Sequence, residues 1–330
     1  MSKYLLFRTD RIGDFIFSRI VTRSIKKDNP KNIIDVVCSH YNSKYVKNYK
    51  DINKIYILDK YNLFLMIKNM IKINNYKYDY IVILDGKRRS VFFSLFLTAK
   101  NKMAVLKDFR PNLILKIFFN NYLINSDVNS QFDNFSSLLN YLDIKVPNKI
   151  GYYESYKFKK DKFKNLYLNF TLLHLDEKWF EGFYHDDYQY VNLNIDNFYK
   201  FINTINKKFK RDIIITSGLF DIKTLDSIKK FFFVKINKNT YVSNKFKFKL
   251  TFIENTDFRD LENIVKKCDE LICCEGAISH VSNSFNKKTY ALTNDLKIGN
   301  FWTKHMKNLK LIKRKNNIDN MCKQIISLSK

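Results

Sequence analysis

The chain has 330 residues and is 45% hydrophobic, enough for two packed cores, since single cores rarely grow beyond about 250–300 residues. Its 59 Lys and Arg against 32 Asp and Glu give a formal net charge of +27. That charge is spread along the whole chain, with no RNP-type or zinc-finger pattern, so it argues for an anionic partner but against a nucleic acid. Lys, Asn, Ile, Phe and Tyr are abundant while Gly and Pro are scarce, a bias that an A+T-rich gene would also produce. No run approaches the ~20 apolar residues that span a bilayer, and the start has no signal-peptide layout. Cys38, Cys268, Cys273, Cys274 and Cys322 lack metal-type spacing. The expectation is a cytoplasmic protein with reduced, mostly buried thiols and no metal site.

Residues 3–8 read as a buried strand, 9–14 as a tight polar turn and 15–27 as a helix. A strand running into a Gly-containing turn and a helix opens a doubly wound α/β domain, whose ligands sit outside the carboxyl ends of the strands. Arg8, Asp10, Arg11, Gly13 and Asp14 fall there. A carboxylate beside a glycine at such a turn suits a base, and the helix N-terminus suits an anion. The other reading is that Asp10 or Asp14 only caps the helix. Further strands are predicted at 33–38, 54–59, 80–85 and 103–106, with helices at 41–48, 63–74, 91–97 and 134–142. This alternation predicts a parallel sheet.

Pro147 and Gly151 punctuate the next stretch, and the basic segment 153–164 reads as a linker. It separates a first domain, 1–150, from a second, 151–330. Strands then follow at 168–175, 212–217, 270–274 and 289–292. Helices follow at 195–209, 225–232, 261–268, 278–285 and 318–328, the last packing in its own domain or back on the first. The result is two α/β domains with a cleft between them.

Three loops at strand ends of the second domain carry polar groups: 174–179, with His174 and Lys178 beside Trp179; 216–218, with Ser217, Gly218 and then Asp221; and 275–280. In the last, Glu275, Gly276 and Ala277 open a helix whose free N–H groups and positive dipole end suit nucleotide phosphates, with Ser279 and His280 in its first turn. Alternatively, Glu275 caps the helix, His280 is a core residue, and Lys178 is an exposed lysine beside a core tryptophan.

Together these segments resemble glycosyltransferase family 9, the ADP-heptose:lipopolysaccharide heptosyltransferases. Arg8-Thr9-Asp10-Arg11-Ile12-Gly13-Asp14, followed by Ser18, is similar to the opening signature of that family. Residues 34–37, 51–59 and 78–85 resemble its next strands, and 275–292 its donor-site motif. The resemblance implies an α/β GT-B fold of two Rossmann-like domains facing each other across a cleft. It implies inverting transfer without a bound metal or cofactor. The donor would be a nucleotide sugar, an ADP-sugar favoured. The acceptor would be lipid-linked or lipopolysaccharide core, reached by peripheral contact with an anionic membrane at the inner face of the inner membrane. By motif match Asp14 is the general base, with Asp10 in the same network. Lys178 binds the diphosphate or sugar, Gly276 and Ala277 hold phosphate near His280, and Asp221 touches the ribose. The sequence departs from the pattern at Cys274-Glu275-Gly276-Ala277, where an Asp usually leads the motif, and at Phe180, where a proline is common. Residues 180–190 have no counterpart. The rival readings are a GT-B transferase using another nucleotide sugar for capsule, O-antigen or protein glycan, a non-catalytic nucleotide-sugar-binding homologue, and a nucleic-acid binder suggested by charge alone.

Overall fold

The computed structural model describes residues 1–59, 61–106, 117–124, 129–180, 190–218 and 222–328. The chain divides into two compact units, Met1–Lys157 and Phe158–Lys330.

The first unit runs β1 (Lys3–Arg8), α1 (Ile12–Asp28), β2 (Ile33–Cys38), α2 (His40–Val46), β3 (Ile55–Ile57), α3 (Leu63–Tyr76), β4 (Tyr78–Ile83), α4 (Arg88–Leu95), β5 (Ala99–Leu106), β6 (Asn121–Ile124) and α5 (Gln131–Asn140). Its sheet has the order β3-β2-β1-β4-β5-β6, and every pairing is parallel. From Tyr4 onward β1 is buried, as a strand covered by helices on both faces should be. The strand order reverses at β1, which pairs with β2 on one side and β4 on the other. The crevice outside the ends of β1 and β4 is therefore the topological switch point, where such sheets bind ligands.

Helix α1 begins three residues earlier than the sequence predicts. The Arg11 N–H donates to Asp14 Oδ2 at 3.1 Å, one arm of a capping box that pulls Ile12, Gly13 and Asp14 into the first turn. Helices α2 and α4 are likewise displaced from their predicted bounds by a few residues.

The segment predicted as a solvated linker is tied down. Tyr156 bridges to Tyr49, Lys50 N–H donates to Ser155 O at 3.0 Å, and Lys157 N–H donates to Asn48 O at 2.8 Å. Beneath it Arg19, fully buried in α1, donates to Asp51 at 3.2 and 2.8 Å, to Tyr152 O at 3.2 Å and to Glu154 O at 3.0 Å. Arg23 Nη1 adds a second cation to Asp51 at 3.2 Å, and Ser155 Oγ donates to its other oxygen at 2.6 Å. Lys159 and Lys162, in the same basic segment, pair with Asp260 at 3.2 and 3.0 Å inside the second unit.

The second unit runs β7 (Thr171–Leu175), a short 3-10 turn (Glu177–Trp179), α6 (Ile195–Phe209), β8 (Ile213–Ser217), α7 (Lys223–Phe232), β9 (Val234–Asn237), β10 (Thr240–Ser243), β11 (Leu250–Ile253), α8 (Phe258–Lys267), β12 (Glu270–Cys274), α9 (Ala277–Ser284), β13 (Lys288–Thr293), α10 (Leu296–Thr303), β14 (Leu309–Lys313) and α11 (Ile318–Leu328). Helix α6 has the predicted bounds. Its Asn194 cap accepts from Asn197 N–H at 2.9 Å, and Phe198, Phe201, Ile202 and Ile205 form one buried stripe. The sheet order is β14-β13-β12-β7-β8-β11-β10-β9. Its first strand, β7, pairs with β8 on one side and β12 on the other, so the switch point lies between β7 and β12. Helix α11 packs on α6 and β14 of its own unit. The five cysteines are buried free thiols. Among the described residues no helix is long and apolar enough to cross a membrane, and no group of three or more His, Cys, Asp or Glu is placed to hold a metal ion.

Burial raises the proton affinity of Asp51, but the Arg19 charge and the hydrogen bonds from Arg19, Ser155 and Arg23 outweigh it and leave the carboxyl below its ordinary value. The stability it contributes is therefore present above the unfolded pKa and is lost as pH falls through the lower, folded one. Asp51→Ala is expected to cost about 3–5 kcal/mol by urea unfolding at neutral pH, because it leaves the fully buried Arg19 guanidinium without its counter-charge. The difference should shrink toward acid pH.

Candidate functional site

Each switch point carries a cluster of polar side chains. In the first unit the cluster is built around Arg8, the last residue of β1, whose side chain is only 2% exposed. Its Nη1 donates to Leu84 O at 2.6 Å and its Nε to Asp14 O at 3.0 Å. Two carboxylates share the same guanidinium: Asp10 Oδ1 lies 3.2 Å from Nε, and Asp14 Oδ1 lies 3.5 Å from Nη2. Neither Arg8 Nη2 nor Asp10 Oδ1, both buried, makes a hydrogen bond of good geometry. A second buried carboxylate, Asp85, closes the cluster from the β4 side. Its Oδ2 accepts from Thr9 N and Oγ1 at 3.1 and 2.6 Å and from Ser90 Oγ at 2.7 Å, and its Oδ1 accepts from Lys87 N at 3.2 Å.

Asp10 and Asp14 are thus in different electrostatic situations. Asp14 is fixed by the Arg11 N–H at the helix start. Asp10 is pushed from its ordinary 3.8 up to about 7, chiefly by burial; Arg8 pulls it down, while Asp14 and Asp85 push it further up. The capping reading of Asp14 holds locally, and the carboxylate that caps α1 also stands 3.5 Å from the buried guanidinium. Gly13 is buried in the first turn and Arg11 is exposed at its cap.

In the second unit the loops after β7, β8 and β12 meet, because those strands are neighbours. Lys178 Nζ donates to Glu275 O at 2.7 Å, joining the β7 loop to the β12 loop. Gly276 has φ +154°, and a Cβ there would fall 2.5 Å from Lys178 Nζ. The lysine is thereby laid across the start of α9. Arg314, after β14, donates to Lys178 O at 2.7 Å. Trp179 is fully buried, stacked at a tilt on Phe201, with its Nε1 donating to His174 O at 2.9 Å. The tryptophan is core as the alternative reading had it, but Lys178 is not a free surface group.

His174 Nδ1 stands 3.0 Å from Thr216 Oγ1, and burial, with Lys178 adding to it, lowers the ring to about 4. The imidazole is neutral at pH 7, so Lys178 carries the charge of this loop. Asp176, 3.8 Å from Lys178 Nζ, is raised by burial, with Lys178 and Arg314 opposing. Ser217 and Gly218 end β8 against the same loop; a Cβ on Gly218 would meet Glu177 Oε2 at 3.3 Å. Ser279 is fully buried and turned back on its own helix, its Oγ donating to Gly276 O at 2.7 Å, while His280 is buried beside it. Glu275 is not the cap of α9: its Oε2 accepts from Thr293 Oγ1 at 3.1 Å, and Gly276 takes the cap position, followed by Ala277. Asp221 and most of 180–190 lie outside the described residues.

Sequence reasoning missed Asp85 and Arg314, and took Lys87 and Asp176 only as members of polar loops at strand ends. Asp85 closes a predicted strand, which is a usable signal. Arg314 follows β14, a strand not predicted.

No family model and no curated protein matches the sequence. Among solved structures the chain is similar to a glycosyl transferase family 9 protein from Veillonella parvula, with a TM-score of 0.68 at 11% identity over 95% of this chain and 86% of that one. It is similar to the E. coli heptosyltransferase WaaC solved with ADP, with a TM-score of 0.67 at 10% identity over 99% and 97%. A UDP-GlcNAc 2-epimerase from Methanocaldococcus jannaschii matches with a TM-score of 0.56 at 14% identity over 98% and 92%. The fold is of the GT-B class found in such glycosyltransferases and epimerases, and the family singled out by the sequence motifs is among those matched.

Two predictions follow from the geometry. The raised Asp10 carboxyl contributes stability that is full below the unfolded pKa and is lost as pH rises through about 7. Asp10→Asn should therefore have a higher Tm than the parent at about pH 8 and lose that advantage toward about pH 4. Gly276→Ala should displace Lys178 and weaken binding of a nucleoside diphosphate by about tenfold or more, read by calorimetry, with the chain still folded.

Proposed function

We propose that this protein is an inverting glycosyltransferase that moves a heptose-like sugar from a nucleoside diphosphate sugar, an ADP-sugar first, to a lipopolysaccharide-core or other lipid-linked glycan acceptor. The observation that carries the reading is the pair of switch-point clusters: carboxylates around a buried arginine in one unit, and a lysine laid over a glycine at a helix start in the other. The fold likeness to a heptosyltransferase solved with ADP supports the adenine nucleotide as the first donor to test.

In this reading Asp14 takes the proton from an acceptor hydroxyl, and that oxygen attacks the anomeric carbon from the face opposite the diphosphate. The bond to the diphosphate breaks as the new glycosidic bond forms, which inverts the configuration. Lys178 and the positive dipole end of α9, with Gly276 and Ala277 at its start, balance the leaving diphosphate without a bound metal. Arg8 holds Asp14 and Asp10 in place, and Asp10, titrating near neutrality, is the second candidate for the base. The acceptor places the protein at the cytoplasmic face of the inner membrane.

The departure at Cys274-Glu275-Gly276-Ala277, where an Asp usually leads the motif, supports a second reading with another base or sugar on the donor. A thermal-shift screen of ADP, GDP, UDP and CDP and their sugar conjugates separates the two, because a ligand that binds only the folded state raises Tm. A selective adenine shift supports the first reading, and another selective base moves the function to a different glycan. Absence of any shift removes the nucleotide-sugar reading. Asp14→Asn should lower kcat by about 10²–10⁴-fold with the nucleotide shift unchanged. Full activity in that variant would take Asp14 out of the mechanism.

A further inference from the structure

The first unit has an apolar face that its own core does not use. Helix α3 packs Met66, Met70 and Ile73 against the sheet, yet its other side is apolar as well, with Phe64 77% exposed and Ile71 57% exposed beside Ile67. Large apolar side chains exposed together on the side of a helix away from its core mark an interaction face. Helix α4 repeats the arrangement. Val91 and Phe93 are buried, while Phe92 and Phe96 point out, edge to face with ring centroids 5.2 Å apart.

The two helices are neighbours. Asn74 Nδ2 donates to Phe96 O at 3.0 Å, and Thr98 N–H donates to Asn74 Oδ1 at 2.9 Å. Phe118 joins on the far side of α4: Lys102 Nζ donates to Ser94 O at 3.0 Å and lies 5.7 Å from the Phe118 ring.

The charge around this face is one-sided. Residues 61–106 contain eight Lys and Arg and two acids, Asp79 and Asp85. Asp79 is taken up by Lys100 at 2.7 Å, and Asp85 by the cluster at the end of β4. Lys68 and Lys72 lie on the exposed side of α3 among the apolar residues. A second copy of this chain would bring like charge to like charge. An anionic leaflet supplies both an apolar phase and a negative surface.

We propose that this face is a membrane-docking surface. Phe64, Ile67, Ile71, Phe92, Phe96 and Phe118 enter the headgroup–acyl boundary of an anionic bilayer, while Lys68 and Lys72 meet its phosphates. The proposal deepens the reading of a membrane-borne acceptor, but its measurement needs no sugar transfer.

The test is co-sedimentation of the full chain with phosphatidylglycerol-containing vesicles and with phosphatidylcholine vesicles. Binding is expected to the anionic vesicles, weaker in high salt and weaker still to phosphatidylcholine. Phe64→Ser/Ile67→Ser/Phe92→Ser removes no core contact. It should keep its Tm and lose about 1000-fold in partitioning, at about tenfold per inserted side chain. Lys68→Glu/Lys72→Glu should lose about tenfold or more. Undiminished binding by the triple variant would overturn the proposal, as would absence of binding by the parent chain. A parent dimer that the triple variant dissolves, with no vesicle binding, would also overturn it, assigning the face to a second copy. Vesicle binding without sugar transfer removes the proposed enzyme and leaves the docking face standing; transfer without vesicle binding does the reverse.

Discussion

The buried guanidinium of Arg8 is the constraint on which the first unit's site depends. One side chain at the end of β1 binds the carbonyl of Leu84 beyond β4, the first turn of α1 and two carboxylates. The Arg8 backbone carbonyl also accepts from Asn42 Nδ2 in α2 at 2.8 Å. Strand, helix and crossover are therefore registered by one group. A buried cation is costly unless it is paired and hydrogen-bonded, so the fold and the acidity of Asp10 are coupled.

The second unit applies the same topology with the opposite emphasis. Its first strand again marks the reversal of strand order, and the loops on either side again meet. Here the feature at the switch point is a cation over a helix start, supported by Arg314 and kept in place by a glycine that a side chain would crowd. The adjacent histidine is neutral because it is buried next to that lysine. One cluster is arranged around carboxylates and the other around a cation at a helix start.

Much of this was legible in the sequence where an element has a strong local signature. Strands β1, β2 and β12 and helices α6 and α11 have the predicted bounds, because continuous apolar runs or an apolar stripe at helical spacing leave no competing reading. Strands β6, β9, β10, β11 and β14 and helix α10 were not predicted. β9 is exposed along its whole length and forms a hairpin with β10 at the sheet edge, so its pattern is not that of a buried strand. The start of α1 was misjudged because the capping bond from Arg11 to Asp14, not apolar periodicity, sets it. The two compact units divide after residue 157, since Arg19 and Asp51 hold 151–157 to the first unit through contacts more than 100 residues apart in sequence.

The sequence by itself determined the alternation of strands and helices, and with it two doubly wound sheets whose strand ends carry Arg8, Asp10, Asp14, Lys178 and Gly276. Those are consequences of local periodicity and turn chemistry, which a linear chain displays directly. Only the tertiary structure decided which strand ends are neighbours, that Asp85 and Arg314 join the clusters, and that Lys178 lies across Gly276. It also set the titration of Asp10 and left the outer faces of α3 and α4 exposed. These properties depend on burial and on pairings between residues distant in the chain, and dielectric and proximity are not properties of any one segment.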